Sequence, residues 1–250
     1  MVHRARPRGV AILAAPMTAV PRRLLALATA AAAATLATAC SDFANPSELT
    51  KPTVLAVIAD PPLVAPGAAT SLSVVMAGPD GPLDPSAVQW QLIETLPGVA
   101  PIGTLTADGV TATYQAPEQL PELPDGSPPL DSVQATITAG DTSVVVVKGV
   151  LIADLPSANP AVTALMVDGD AADDGLTIDA GATYPLELAT DPAPGDDATF
   201  AWYSTVGEIA LYQSNPTELV AGDAGDGWLF VVMRDGRGGV AWRGVSVEVR

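Results

Sequence analysis

From Pro52 onward the chain alternates apolar and polar residues with a period of two. Leu72, Val74 and Met76 share one face, as do Val88, Trp90 and Leu92, with Gln89 and Gln91 pointing away. Val110, Ala112 and Tyr114 alternate with Thr111 and Thr113, and Val133, Ala135 and Ile137 alternate with Gln134, Thr136 and Thr138. Successive strand side chains point to opposite faces, so each run predicts a strand with one buried side. Gly140-Asp141 supplies a hairpin turn into Thr142–Val150, an apolar run expected to be covered on both faces. No helical period follows residue 40.

A second stretch repeats this grammar. Tyr184, Leu186 and Leu188 share a face, as do Phe200 and Trp202. Trp228, Phe230 and Val232 form another face, and parity turns Phe200, Trp202, Trp228 and Phe230 inward. The turn Asp235-Gly236-Arg237-Gly238-Gly239 returns the chain through Val240–Val249. Val240 and Trp242 have one parity there and Val245, Val247 and Val249 the other, so a bulge at Gly244 is expected to bury both sets.

The two stretches look like a diverged tandem pair. Pro66-Gly67-Ala68-Ala69-Thr70 is similar to Ala180-Gly181-Ala182-Thr183, and each is followed by a Trp, Trp90 and Trp202. Short strands separated by Gly, Pro and Asp turns predict an all-β fold of two tandem immunoglobulin-like sandwiches, residues 52–153 and 159–250, divided near Pro156–Pro160. Asp108-Gly109-Val110-Thr111-Ala112-Thr113-Tyr114-Gln115-Ala116-Pro117, after Gly103-Thr104-Leu105-Thr106, resembles the "G-x-x-x-x-Y-x-A-P" strand of bacterial immunoglobulin-like domains. The second half is similar to PKD- or Big-type modules of exported lipoproteins, with Trp202 on the strand that carries the core Trp. The resemblance implies a spacer, adhesive or scaffold role. The Pro-rich stretch Glu118–Leu130 is longer than the usual connection.

The N-terminus reads as an address. Arg22 and Arg23 precede sixteen uncharged residues, Leu24–Ala39, and then Cys40. A basic segment, a short apolar segment and a small-residue end mark a secretory signal over residues 1–39, whose start could equally be Met17. Leu36-Ala37-Thr38-Ala39-Cys40 resembles the lipobox of bacterial lipoproteins, with Leu displaced by one position. The resemblance implies that Cys40 takes a diacylglycerol group as a thioether after export. An ordinary cleaved signal with an incidental Cys40, or an uncleaved anchor, stays open. Residues 40–51 read as the lipidated Cys and a polar tether.

Charge removes whole classes of function. All five Arg of residues 1–39 occur without an acid, and the rest holds six basic groups against 28 acids. Six cations cannot assemble a phosphate-neutralising patch, which excludes a nucleic-acid partner. His3 is the one His and Cys40 the one Cys, so the body has no imidazole base, thiol nucleophile, Cys/His metal site or disulfide. Carboxylates are plentiful, but no motif pairs two in one cleft, so no enzyme activity and no cofactor is expected.

Two candidate binding features remain. Asp168-Gly169-Asp170-Ala171-Ala172-Asp173-Asp174-Gly175 could hold Ca²⁺ if Asp191, Asp196, Asp197, Asp223 and Asp226 converged with it, though Asp and Gly are also what turns demand. Eight of the eleven aromatics lie in the second half, where Tyr203 and Tyr212 are left for the surface. The expectation is a lipid-anchored protein of a bacterial cell envelope, periplasmic or surface-exposed. It would be held to the membrane through Cys40 and meet an envelope protein or glycan. A glycan- or calcium-binding surface module, or an accessory domain of an envelope enzyme, is the alternative.

Overall fold

The computed structural model describes residues 45–123, 127–155, 157–173 and 175–250. Cys40 and the leader lie outside them. The first sandwich consists of β1 (Thr53–Asp60), β2 (Leu63–Val64), β3 (Ala69–Gly78), β4 (Gly81–Leu83), β5 (Ala87–Ile93), β6 (Thr104–Asp108), β7 (Thr111–Gln115), β8 (Leu130–Ala139) and β9 (Thr142–Ile152). One sheet runs β1-β3-β7-β6 with β4 on the end of β3, and it faces β2-β9-β8-β5.

The second sandwich consists of β10 (Ala161–Val167), β11 (Asp170–Ala171), β12 (Leu176–Ile178), β13 (Thr183–Asp191), β14 (Thr199–Ser204), β15 (Gly207–Ile209), β16 (Thr217–Ala221), β17 (Gly225–Arg234) and β18 (Val240–Val249). Its sheets run β11-β10-β13-β16-β15 and β12-β18-β17-β14. In both sandwiches a short strand crosses over to pair in parallel with the last one, β2 with β9 and β12 with β18. The fold is therefore all-β, two tandem immunoglobulin-like sandwiches with the same strand order.

The internal repeat is visible in the backbone. Gly67 and Gly181 adopt φ of 75° and 72° before β3 and β13, conformations that Gly takes at no steric cost. Each then donates its N–H to the end of the neighbouring strand, Gly67 to Pro117 and Gly181 to Ala221. Trp90 and Trp202 occupy corresponding strands, β5 and β14.

The sandwiches share a third buried layer. On β17, Leu229, Val231 and Met233 face the core of their own sandwich. Phe230 and Val232 face the other way and pack with Val240, Leu49, Leu55, Ala56, Val75 and Ala77. The outward face of β1 and β3 thus lies on the outward face of β17 and β18. A register shift in β1 between Val54 and Ala56 puts Leu55 and Ala56 together on this layer.

Three expectations change accordingly. Phe230 and Trp228 point into the junction and not into the core of the second sandwich. No bulge occurs at Gly244, because β17 and β18 pair residue for residue from Gly225↔Val249 to Arg234↔Val240. The junction buries Val240 on the outward parity, while Trp242 on the same parity stays 38% exposed. Gly244 is small because a Cβ there would stand 2.6 Å from the Phe230 ring. Thr142–Val150, by contrast, is covered on one side only, with Val145 58% and Val147 57% exposed.

The tether reading also changes where it is described. Leu49 donates its N–H to the Ser204 carbonyl and Ser204 donates to Ser47. Ser47 and Leu49 are buried. Leu49, six residues from Phe43 with polar neighbours on both sides, gives no periodic signal, so its docking was not legible.

Candidate functional site

The junction gathers most of the unusual chemistry of the described residues. Lys148 sits on the inward phase of β9, in line with Val144, Val146 and Val150. Its ammonium donates to the Gly238 carbonyl of the second sandwich at 2.7 Å. Arg234, at the end of β17, donates in the opposite sense to the Leu55 carbonyl at 2.7 Å. Asn159 holds the connection between them, donating to Ala59 and accepting from the Val240 N–H at 2.9 Å.

Burial pulls Lys148 below the ordinary Lys range, with Asp235 opposing that shift and Arg234 reinforcing it. Asp235 folds the β17–β18 turn by accepting from the N–H groups of Arg237 and Gly239. Lys148, Arg234 and Asp197 line a cleft of about 610 Å³ between the sandwiches. The cleft carries both charge signs, and both of its cations are already engaged with carbonyl oxygens.

A second buried polar centre lies within the first sandwich. Asp131, buried at the start of β8, accepts from the N–H groups of Ile102 and Gly103 and from the Tyr114 hydroxyl at 2.8 Å. Burial, with the hydrogen bond and charge of Asp131, holds the Tyr114 phenol far above its ordinary range. The arrangement ties β7, β8 and the segment before β6 together. It abuts an apolar cavity of about 200 Å³ lined by Leu96, Val99, Ile102, Leu123 and Leu130. That cavity involves the Pro-rich stretch, of which residues 124–126 lie outside the described residues.

The acidic turns separate. Asp168 and Gly169 take φ of 52° and 85° in the two-residue turn joining β10 to β11, the left-handed pair that an Asp-Gly hairpin needs. Val167 pairs with Leu186, whereas Ala161, at the other end of β10, pairs with Asp191. The Asp191–Asp197 turn therefore lies at the opposite end of the sandwich from Asp168, and the expected convergence fails. Asp173 instead lies 3.9 Å from Arg243, and Asp174 falls outside the described residues. Among the described residues, no three Asp, Glu, His or Cys side chains come together to hold a metal ion.

Of the aromatics, Phe200 and Trp202 face the core of the second sandwich as expected, while Tyr203, Tyr212 and Trp242 do not keep their expected places. Trp202 is fully buried and donates through Nε1 to the Ser214 carbonyl at 2.8 Å. Tyr203 is a junction residue, packed with the Phe230 layer, and Tyr212 lies against the core of the second sandwich. Trp242 is left 38% exposed. Cys40, the expected lipidation site, lies outside the described residues.

Asp131, Lys148 and Arg234 went unremarked in the sequence, yet the signal was there. Asp131 and Lys148 each interrupt the apolar phase of an otherwise regular strand, where a charge demands a partner.

No protein-family model matches the chain, and no curated protein matches it. Among solved structures it is similar to the N-terminal Ig1-2 module of the Drosophila receptor protein tyrosine phosphatase DLAR, at 12% identity and a TM-score of 0.30, over 80% of this chain and 99% of that one. It is also similar to the fibronectin(III)-like modules of Clostridium thermocellum CbhA, at 14% identity and a TM-score of 0.28, over 80% and 94%. A nucleoside hydrolase-related hypothetical protein from Saccharophagus degradans matches at 20% identity and a TM-score of 0.29, over 38% of this chain and 26% of that one.

Proposed function

We propose that this protein is a lipid-anchored module of a bacterial envelope that acts as a stiff spacer or adhesive body and not as an enzyme. The observation that carries the reading is the Phe230 layer, which gives two sandwiches a common buried interior. A body of that kind transmits position and force without a hinge, which is what a scaffold needs. The anchor rests on Cys40 and its resemblance to a lipobox.

Docking of Ser47 and Leu49 sharpens the reading. If Cys40 carries the lipid, the five residues to Asn45 span at most about 18 Å, so the body rides close to the bilayer. Its acidic surface would be repelled by anionic headgroups, leaving the lipid as the attachment. The test is Cys40→Ser in cells fed a labelled fatty acid. Loss of label and release from membranes are expected. Retention of both in the variant overturns the anchor.

A further inference from the structure

Two of the six basic groups of the body line the junction cleft, Lys148 of β9 and Arg234 of β17. Elsewhere Arg243 and Arg250 find Asp173 and Glu248. Among the described residues Lys148 and Arg234 have no carboxylate within 4.0 Å, in a chain with 28 acids. Each makes one hydrogen bond, to a carbonyl oxygen. An ammonium carries three N–H donors and a guanidinium five, so most of their donors are unspent. Asp235 is engaged by the N–H groups of its own turn. The cleft lining therefore offers two cations against one acid, Asp197.

Much of the remaining lining is strand edge. Val54–Val57 belong to β1, the last strand of its sheet, and Val146–Gly149 to β9. β8 pairs along one side of β9, but β2 covers the other side only at Leu151 and Ile152. From Thr142 to Gly149 that edge has no strand partner among the described residues, so it offers backbone N–H and C=O groups to a further strand.

We propose that this cleft binds the C-terminal end of an extended peptide from a partner protein, with its free carboxylate between Lys148 and Arg234 and its backbone added to the open edge of β9. The unspent cation donors recognise the carboxylate, and the strand edge recognises the peptide backbone. A carboxylate held at Lys148 leaves the peptide to run back toward Thr142, so it lies parallel to β9. Thr142–Lys148 is seven residues, about 23 Å at strand spacing, which sets the length of the ligand. The exposed Val145 and Val147 lie beside alternate peptide side chains and favour apolar residues there.

The proposal does not depend on the lipid, and its test uses the full chain as Cys40→Ser. The probe is a seven-residue peptide of alternating Val and Ser with a dye at its N-terminus and a free C-terminus, followed by fluorescence anisotropy. Its C-terminal amide and N-acetylvaline, which carries the carboxylate without the strand, are the comparisons. The free acid should bind about tenfold or more tighter than the amide, the loss expected for hydrogen bonds to a charged group. N-acetylvaline should compete only weakly. Lys148→Met and Arg234→Met should each reduce the preference for the free acid, with melting temperatures showing that each variant is folded. Hydrogen exchange should slow over Thr142–Val147 when the free acid binds. No saturable binding, equal binding of acid and amide, competition by N-acetylvaline as strong as by the peptide, or unchanged exchange along β9 overturns the proposal.

Discussion

Lys148 and Arg234 clasp the two sandwiches in opposite directions. Lys148 of the first donates to Gly238 of the second, and Arg234 of the second donates to Leu55 of the first. Each cation answers a backbone carbonyl that the junction removes from water. The pair thereby fixes the register of one sandwich on the other, while the apolar layer around Phe230 supplies the attraction.

The two clasps should respond differently to mutation. Arg234→Met leaves the Leu55 carbonyl without its partner and should cost about 1–3 kcal/mol. Lys148→Met likewise leaves the Gly238 carbonyl without its partner, but it keeps the buried stem and removes an ammonium whose desolvation opposes folding, so the two effects offset and the change should stay within about 1 kcal/mol. The folded chain releases the Lys148 proton at lower pH than the unfolded chain, so below the usual Lys pKa of 10.5 this group makes stability rise with pH. Urea unfolding across the alkaline range below pH 10.5 should show the rise in the parent and its absence in Lys148→Met.

Tyr114 and Tyr203 act in the reverse sense. Both phenols are raised above their ordinary value of 10.0, Tyr114 by burial and Asp131, and Tyr203 by burial. Above about pH 10 the unfolded chain ionises these groups and the folded chain does not, so stability must fall as pH climbs further. Tyr114→Phe should flatten part of that fall while costing about 1.5–3 kcal/mol at neutral pH, because it removes a hydrogen bond to a buried carboxylate. Denaturation midpoints across the alkaline range check both effects.

Phe230→Ala should cost about 3–5 kcal/mol, the usual loss for a large buried aromatic. The damage should fall on the first sandwich as well, since the cavity opens against Leu55 and Val75. Hydrogen exchange should therefore accelerate in β1 and β3. Acceleration confined to the second sandwich would place Phe230 in an ordinary core.

Gly81 gives a second, independent handle on the junction. Its φ is 115°, and a Cβ there would run into the Trp228 indole. Gly81→Ala should cost at least about 1–3 kcal/mol, and it should perturb Trp228 fluorescence.

The longer strands, such as β3, β5, β8, β13 and β17, were legible because each buries at least one face and a period of two follows from that, whereas short strands such as β11, exposed at both residues, leave no such signal. The junction was not legible. Phe230 and Val232 form a regular apolar face, and parity alone cannot say whether such a face meets its own sandwich or another. The apolar residues on both phases of β18 carried part of the information: Val240, on the outward phase, is covered by the junction, although Trp242 on the same phase stays 38% exposed. Reading apolar residues on both phases as two covers misled at Val145 and Val147, whose β-branched side chains suit a strand even where one face is open. The acidic turns looked like a possible site because sequence does not show which end of a strand a turn occupies.

Differential scanning calorimetry of the Cys40→Ser chain tests the shared interior most directly. One transition, with equal calorimetric and van't Hoff enthalpies, is the result expected of two sandwiches that unfold together. Two resolved transitions, of which Phe230→Ala shifts only that of the second sandwich, would contradict it.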